Sequence, residues 1–364
     1  MKLILLFVIA TLHLSAALTC VRIGEGAVAP LHQQKLLQHG VTTVGVIESD
    51  LKKKEGVLTK ELKWFESYEE AGFVKPLFWD ICTPPDQHLS TIKKIIRVDP
   101  KAQIIVEKPI CMSYEIGELQ ELLKTFQGKI VVNENYLSSD VTETVRKIAF
   151  EELKIKPSRI VIEMDKNRTQ DFMKGRYVDP EGAFKYEGTH IVTILQSILD
   201  PLQLELPPQP QALAYEDLSP SFPLQGSADI IFRIEDLEIN LYSSMKGTIK
   251  NRFPSYMRTV IKDHETALRY RVLAIEGLSQ EGTLTTIVGF YEPLENHPRS
   301  IGEVVMLVNG VFYKSLGTVS DDTMGKHLGK AVDYFSGKTE QNPCPPETGI
   351  AIVQILDQVL PKSD

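Results

Sequence analysis

Gly24-Glu25-Gly26-Ala27-Val28-Ala29 sets two glycines and a small residue at the spacing G-x-G-x-x-A. In that spacing the first glycine makes a tight strand-to-helix turn and the second admits close backbone approach of a pyrophosphate. The small third residue lets helix pack on strand. The chemistry is anion binding, because the free N–H groups and the dipole of a helix N-terminus favour phosphate. Glu48, 22 residues past Gly26, closes the next apolar run. That is near the spacing of about 20 at which a carboxylate accepts ribose hydroxyls. A carboxylate there repels a 2′-phosphate, so the combination implies NAD in preference to NADP. Lys52-Lys53-Lys54 just beyond soften that preference and leave NADP open; as a run of like charges they otherwise read as a solvated face.

A phosphate-holding turn needs a strand before it and a helix after it, and the sequence supplies both. From Leu18 to about Tyr136, short apolar runs alternate with amphipathic stretches, as βαβ units do. Candidate strands are Leu18–Ile23, Thr43–Glu48, Leu77–Cys82, Gln103–Val106 and Lys129–Asn133. Parallel strands buried on both faces read as unbroken apolar runs, and Ile104-Ile105-Val106 does. Arg22, inside the first strand, breaks the pattern. Past Tyr136 the order changes: a helix over Val141–Leu153, a strand over Arg159–Met164, a polar loop and a second helix. Pro201 to Pro223 reads as an irregular connection. The runs Ala228–Ile234, Leu237–Ser243, Leu284–Tyr291 and Glu303–Val308 follow as strands, then helices near Thr323–Phe335 and Glu347–Val359. The fold class is therefore α/β. Residues 18–136 form a Rossmann domain with a doubly wound parallel sheet. Residues 137–364 form an α+β substrate and oligomerisation domain with a large, mostly antiparallel open sheet.

Two further motifs resemble those of a known family. Asp80-Ile81-Cys82-Thr83-Pro84-Pro85 with His88 resembles the T-P-x-x-x-H strand end and loop of the Gfo/Idh/MocA oxidoreductases, and Val106-Glu107-Lys108-Pro109 resembles their E-K-P signature. Arg176 to Ala183 and Gly188-Thr189-His190 are similar to the family's loop and its G-A…D-x-G-x-H helix, and Asn342–Gln354 to its C-terminal segment. The resemblance covers nearly everything from Leu18 onward.

It implies reversible hydride transfer between NAD(P) and a hydroxyl or keto group of a sugar, cyclitol or similar polyol, in a homo-oligomer (dimer or tetramer). Cofactor contacts carry over to Gly24, Gly26, Ala27, Val28, Ala29, Glu48, Thr83, Pro84, His88, Glu107, Lys108 and Asn135. Substrate contacts carry over to Lys108, Arg176 and His190. Lys108 stands at a strand's carboxyl end, where such sheets bind ligands. An unperturbed lysine is neutral only about one part in 2,500 at pH 7, so Lys108 suits stabilising an alkoxide better than acting as base. His190, with an ordinary pKa near 6.5, suits the acid/base role. Its helix is expected to be capped by Asp179, with Pro180 at the first position, and to end before Pro201. Where the family has an aspartate four residues before that histidine, this sequence has Tyr186, and Thr193 replaces a later aspartate. Tyr186 and His190 share a helix face. Tyr186 therefore substitutes as the acid, marks a member with an altered substrate, or marks a dinucleotide-binding sensor of the same fold without catalysis. Lys174 and Arg168 read as solvated loop cations.

Composition excludes other classes. The 364 residues are 43% hydrophobic and 24% charged with a formal net charge of −8, an ordinary globular balance that argues against nucleic-acid binding. Cys20, Cys82, Cys111 and Cys344 lie far apart and read as unpaired thiols, with no metal site suggested. Residues 1–17 run basic, apolar, then small, as a secretory signal does, or form an extra N-terminal segment. Localisation is accordingly cytoplasmic or exported.

Overall fold

The computed structural model describes residues 18–50, 52–53, 62–169, 183–219, 222–254, 269–291 and 300–360. The expectations placed on residues 1–17, Lys54, Lys174, Arg176, Asp179 and Pro180 lie outside these, as does the side chain of Tyr186.

The first sheet is parallel throughout. Its strands and helices alternate: β1 (Leu18–Ile23), α1 (Ala29–Gln38), β2 (Val41–Ile47), β3 (Lys63–Trp64), α2 (Tyr68–Gly72), β4 (Phe78–Ile81), α3 (His88–Val98), β5 (Gln103–Val106), α4 (Ile116–Thr125) and β6 (Lys129–Val132). The order β3-β2-β1-β4-β5-β6 reverses between β1 and β4. That reversal opens a crevice at the strands' carboxyl ends, where doubly wound sheets take their ligands. Five strands are those the apolar runs predict; β3, two residues long, escaped notice. Arg22 is fully buried in β1 and lies opposite Asp80 in the register with β4. Its Nε donates to Glu25 Oε1 at 2.5 Å and its Nη2 to Gln33 Oε1 at 3.1 Å, so the charge is paired inside the domain.

The second sheet has eight strands: β7 (Lys156–Asp165), β8 (Ala212–Ser219), β9 (Phe222–Ile234), β10 (Leu237–Ser244), β11 (Tyr270–Leu278), β12 (Leu284–Phe290), β13 (Ile301–Val308) and β14 (Val311–Ser320). Their order is β14-β13-β12-β11-β7-β10-β9-β8, antiparallel except between β7 and β10. Helix α5 (Asp140–Arg146), capped by Ser139 and continued by a π-helical turn over Lys147–Glu152, precedes β7, and α6 (Ala183–Leu202) follows it. One sheet face is buried under α5 and α6; the other carries Val161, Val272 and Phe290 against Phe253 and Phe312.

Two expectations are corrected. Pro201–Pro223 is not an irregular connection, since Ala212–Ser219 forms β8 and pairs with β9. The prolines sit around this edge strand or at a strand start, where a missing N–H costs no ladder bond. Helix α6 does not end before Pro201 but includes it in its last turn. Strands β11 and β14 were also missed; β14 is a largely exposed edge whose apolar and polar residues do not alternate cleanly.

The last two helices, α7 (Thr323–Phe335) and α8 (Pro346–Val359), return to the first sheet. Leu328, Ala331 and Val332 of α7 pack with Cys20, Leu36 and Phe78, while α8 splits its buried residues between both cores. Among the described residues, no helix is long and apolar enough to cross a membrane.

Candidate active site

The fingerprint turn has the geometry that a pyrophosphate requires. Gly24 adopts φ +90°, and a Cβ there would stand 2.9 Å from the Cys82 carbonyl oxygen, so only glycine fits. At Gly26 an added Cβ would meet the same carbonyl at 3.4 Å, an ordinary contact, so the fold itself does not require glycine there. Helix α1 starts at Ala29 with Pro30 in its first turn, and Val28 makes no side-chain cap bond. Its own first N–H groups are taken within the turn: Ala29 N donates to the Gly26 carbonyl at 3.2 Å, and Leu31 N and His32 N to the Val28 carbonyl at 3.0 and 3.1 Å. Glu48 braces this turn: its Oε2 accepts from Glu25 N at 2.8 Å and from Lys53 Nζ at 2.8 Å, and its Oε1 from Asp50 N at 2.9 Å. Burial raises its pKa, but these donors outweigh burial and lower it to about 2.

A cleft of about 590 Å³ opens between the two sheets. Ala27, Val28, Lys108, Asn135, His190 and Glu187 are among the residues that line it, with Arg168 and Arg271 beside Glu187. Loop ends after β5 and β6 deliver Glu107, Lys108 and Asn135, and α6 delivers Glu187 and His190. Lys108, His190, Glu107, Asn135, Ala27 and Val28 thus line one cleft. Two buried polar atoms fit a bound dinucleotide by lacking partners: Asn135 Oδ1, whose Nδ2 donates to Thr323 Oγ1 at 3.2 Å, and Thr83 Oγ1 beside Gly24. The glycine turn and the orphaned polar atoms together fit NAD.

His88 is placed differently from the other carry-over residues. It is fully buried, with ring nitrogens 2.7 Å from the Pro109 carbonyl and 2.9 Å from the Thr83 carbonyl. It braces the two motif loops against each other. Pro84 stands exposed between them.

Beside His190 the cleft contains a group the spacing did not reveal. Glu187, 6% exposed, takes Arg168 Nη2 on one carboxylate oxygen at 2.6 Å and Arg271 Nη2 on the other at 2.8 Å. Burial raises its pKa, but the two guanidiniums outweigh burial and hold Glu187 ionised far below the usual range. Arg271 Nη1 also donates to the Tyr136 hydroxyl at 2.6 Å, and the Tyr136 ring lies 4.8 Å from that of His190. Arg168 is thus not a solvated loop cation: it is 4% exposed and ion-paired. The available signal was Glu187 itself, three residues before His190 and so near the same face.

His190 Nδ1 is buried without a partner. Burial, then the Lys108 charge, hold its pKa well below the ordinary histidine value, so the imidazole is neutral at pH 7. Behind Lys108, Glu134 is buried and accepts from Thr193 Oγ1 at 3.0 Å. Thr193, standing where the resembled family has an aspartate, thus holds a carboxylate from the first domain.

Below the cleft, His32, Asp80 and Cys82 are ligand types within reach of one another. His32 Nδ1 lies 2.8 Å from Asp80 Oδ1, closer than the roughly 3.3 Å separating two ligands of a tetrahedral zinc, so the contact is a hydrogen bond.

Comparison with known proteins agrees with this architecture. No curated protein sequence matches the chain. Among solved structures, GenD2 from gentamicin A biosynthesis, in complex with NAD, is similar with a TM-score of 0.68 at 12% identity, over 95% of this chain and 94% of that one. An oxidoreductase from Agrobacterium radiobacter, in complex with NAD+, L-tartaric acid and magnesium, gives 0.66 at 13% identity, over 94% and 95%. UDP-N-acetylglucosamine 3-dehydrogenase GnnA from Acidithiobacillus ferrooxidans gives 0.61 at 13% identity, over 94% and 96%. At such identities the likeness is one of fold. Residues 18–134 match the sequence model of the Gfo/Idh/MocA family, described as an oxidoreductase family with an NAD-binding Rossmann fold. By that match, together with a fingerprint turn that fits the dinucleotide, the first domain belongs to the Gfo/Idh/MocA oxidoreductases and its cofactor is NAD.

Proposed function

We propose that the chain is an NAD-dependent dehydrogenase or reductase acting on CH–OH groups, its substrate a sugar, cyclitol or related polyol. The observation that carries this reading is the convergence of Lys108 and His190 on the cleft that begins at Ala27 and Val28. The dinucleotide, when bound, supplies the hydride acceptor or donor. The Gly24–Ala29 turn holds its pyrophosphate, Glu48 its ribose, and Asn135 and Thr83 take its remaining polar groups. Glu48 favours NAD over NADP.

At the substrate end, neutral His190 accepts the hydroxyl proton and Lys108 stabilises the alkoxide left behind. The cations that keep His190 neutral also favour ionisation of a hydroxyl placed among them, so donor and acceptor shift in the same direction. Arg168 and Arg271, fixed by Glu187, frame the substrate.

A second reading, a dinucleotide-holding sensor without chemistry, is favoured by one observation. Glu187, the carboxylate next to Tyr186, is held ionised by two guanidiniums and has no proton to give. Fluorescence titration with NADH and NADPH comes first, with Gly26→Asp as control. Tighter NADH binding that the substitution weakens supports the site, and no binding to folded protein removes the oxidoreductase reading. A polyol and keto-sugar panel then separates the two readings: turnover that falls by about 10²–10³-fold in Lys108→Ala supports catalysis. NADH binding with no turnover on any member supports the sensor. We also infer a homo-oligomer, motivated by the exposed Val311 and Tyr313 on edge strand β14; light scattering that finds only monomer rules it out.

A further inference from the structure

His32, one turn into α1, is fully buried beneath the cleft. Its Nδ1 lies 2.8 Å from Asp80 Oδ1 and its Nε2 lies 2.8 Å from Glu107 Oε1. Cys82 Sγ is 3.5 Å from Nδ1, and Asn133 Nδ2 donates to the same Glu107 oxygen. A carboxylate has only acceptors, so a ring that donates to both carries hydrogen on both nitrogens and is a cation, although Asn133 Nδ2 also stands 3.0 Å from Nε2. Burial opposes that charge; Cys82 and then Asp80 outweigh burial and raise the His32 pKa well above its ordinary value.

Four elements meet at this one ring. His32 rides on the helix whose first turn follows the pyrophosphate loop, Asp80 is in β4, Glu107 follows β5 immediately before Lys108, and Asn133 follows β6. A buried ion cluster is a poor way to gain stability, since apolar residues of similar volume often do as well or better. What it does provide is fixed geometry, because each partner has one low-energy position. Glu107 is held on one side, and its chain neighbour Lys108 projects into the cleft.

We propose that His32 is a positioning residue that, through Glu107, fixes Lys108 relative to the helix that seats the dinucleotide. It rests on the reading that Lys108 faces the bound nicotinamide. One imidazolium thus couples the seat of the cofactor to the placement of the group that acts beside it.

The test is acetylation of Lys108 by acetic anhydride, quantified by mass spectrometry with and without saturating NADH, in the full chain and in His32→Gln. In the wild type NADH shields Lys108. In His32→Gln, NADH still binds by fluorescence but the shielding is lost, an effect that mere loss of stability does not produce at saturating cofactor. A variant that shields Lys108 as fully as the wild type overturns the proposal. Bound NADH that leaves wild-type Lys108 unshielded overturns the reading of Lys108 itself, and this proposal with it. His32→Gln leaves two carboxylates facing each other, so His32→Gln with Asp80→Asn serves as the second variant under the same criteria. Should neither fold, ¹⁵N-histidine spectra of the wild type decide. Two protonated ring nitrogens on His32 sustain the bridge, and one overturns it.

Discussion

Replacing Glu134 with glutamine should stabilise the protein at high pH and leave it unchanged in acid. Glu134 is 1% exposed; its Oε2 accepts from Thr193 Oγ1 at 3.0 Å, and its Oε1 has no partner. Burial raises its pKa from 4.5 to about 7, with the Lys108 charge opposing. The folded state therefore keeps a proton that the unfolded chain releases near 4.5. Stability from this group is intact below pH 4.5, falls between 4.5 and 7, and stays reduced above 7. Two and a half pH units at 1.36 kcal/mol each make the penalty about 3 kcal/mol. Glutamine keeps a carbonyl oxygen for Thr193 and never ionises. Glu134→Gln should thus gain about 3 kcal/mol at pH 8 and nothing measurable at pH 4. Urea unfolding followed by tryptophan fluorescence at both pH values measures the difference. An equal gain at the two pH values would show that the effect is not one of ionisation, and a loss at pH 8 that Glu134 is ionised and stably paired there; either refutes the reasoning.

Three other substitutions test neighbouring arguments. Gly24→Ala combines a left-handed backbone with a Cβ 2.9 Å from the Cys82 carbonyl, costing about 2 kcal/mol or more. It should lower Tm and weaken NADH binding, and an unchanged Kd would remove the turn from the cofactor site. Arg271→Met leaves Glu187 with one of its two arginines and Tyr136 without its donor. A loss of about 3 kcal/mol is expected by thermal unfolding, and a loss below about 1 kcal/mol would show that Arg168 alone satisfies the carboxylate. His327 is buried, which lowers its pKa to about 4. The unfolded chain takes up the proton first, so stability falls as pH drops from 6.5 to 4, by about 3 kcal/mol. His327→Gln should flatten that limb of the stability–pH curve; an unaltered limb assigns the acid sensitivity to other groups.

The first domain was legible because its signals are local. A glycine spacing, an acid at the end of the next apolar run and four further apolar runs each report on a few consecutive residues, and parallel burial erases any need to know which face is inside. The second sheet was harder because its strands are recognised by what they pair with. Ala212–Ser219 is an exposed edge flanked by prolines, and Val311–Ser320 shows no clean alternation. The site divides on the same line. Lys108 and His190, which line the cleft, stand out in the sequence because their neighbours form a motif. Glu187, Arg168 and Arg271 were not, because their partnership spans 103 residues from Arg168 to Arg271 and exists only after β7, α6 and β11 are assembled. The traces they leave in sequence are charges in or beside apolar stretches: Arg22 and Asp80 within strands, Arg271 in β11, His32 and Glu187 on apolar helices. Each looks like a defect in a secondary-structure pattern. A lone charge in a buried element is too costly to persist without a partner, so every such defect implies a second one elsewhere. Arg22 finds Glu25, His32 finds Asp80 and Glu107, and Glu187 finds two arginines. The Glu187 cluster lines the cleft and the His32 cluster lies next to Lys108 in sequence, so these interruptions in the apolar pattern point to the same cleft as the motifs do.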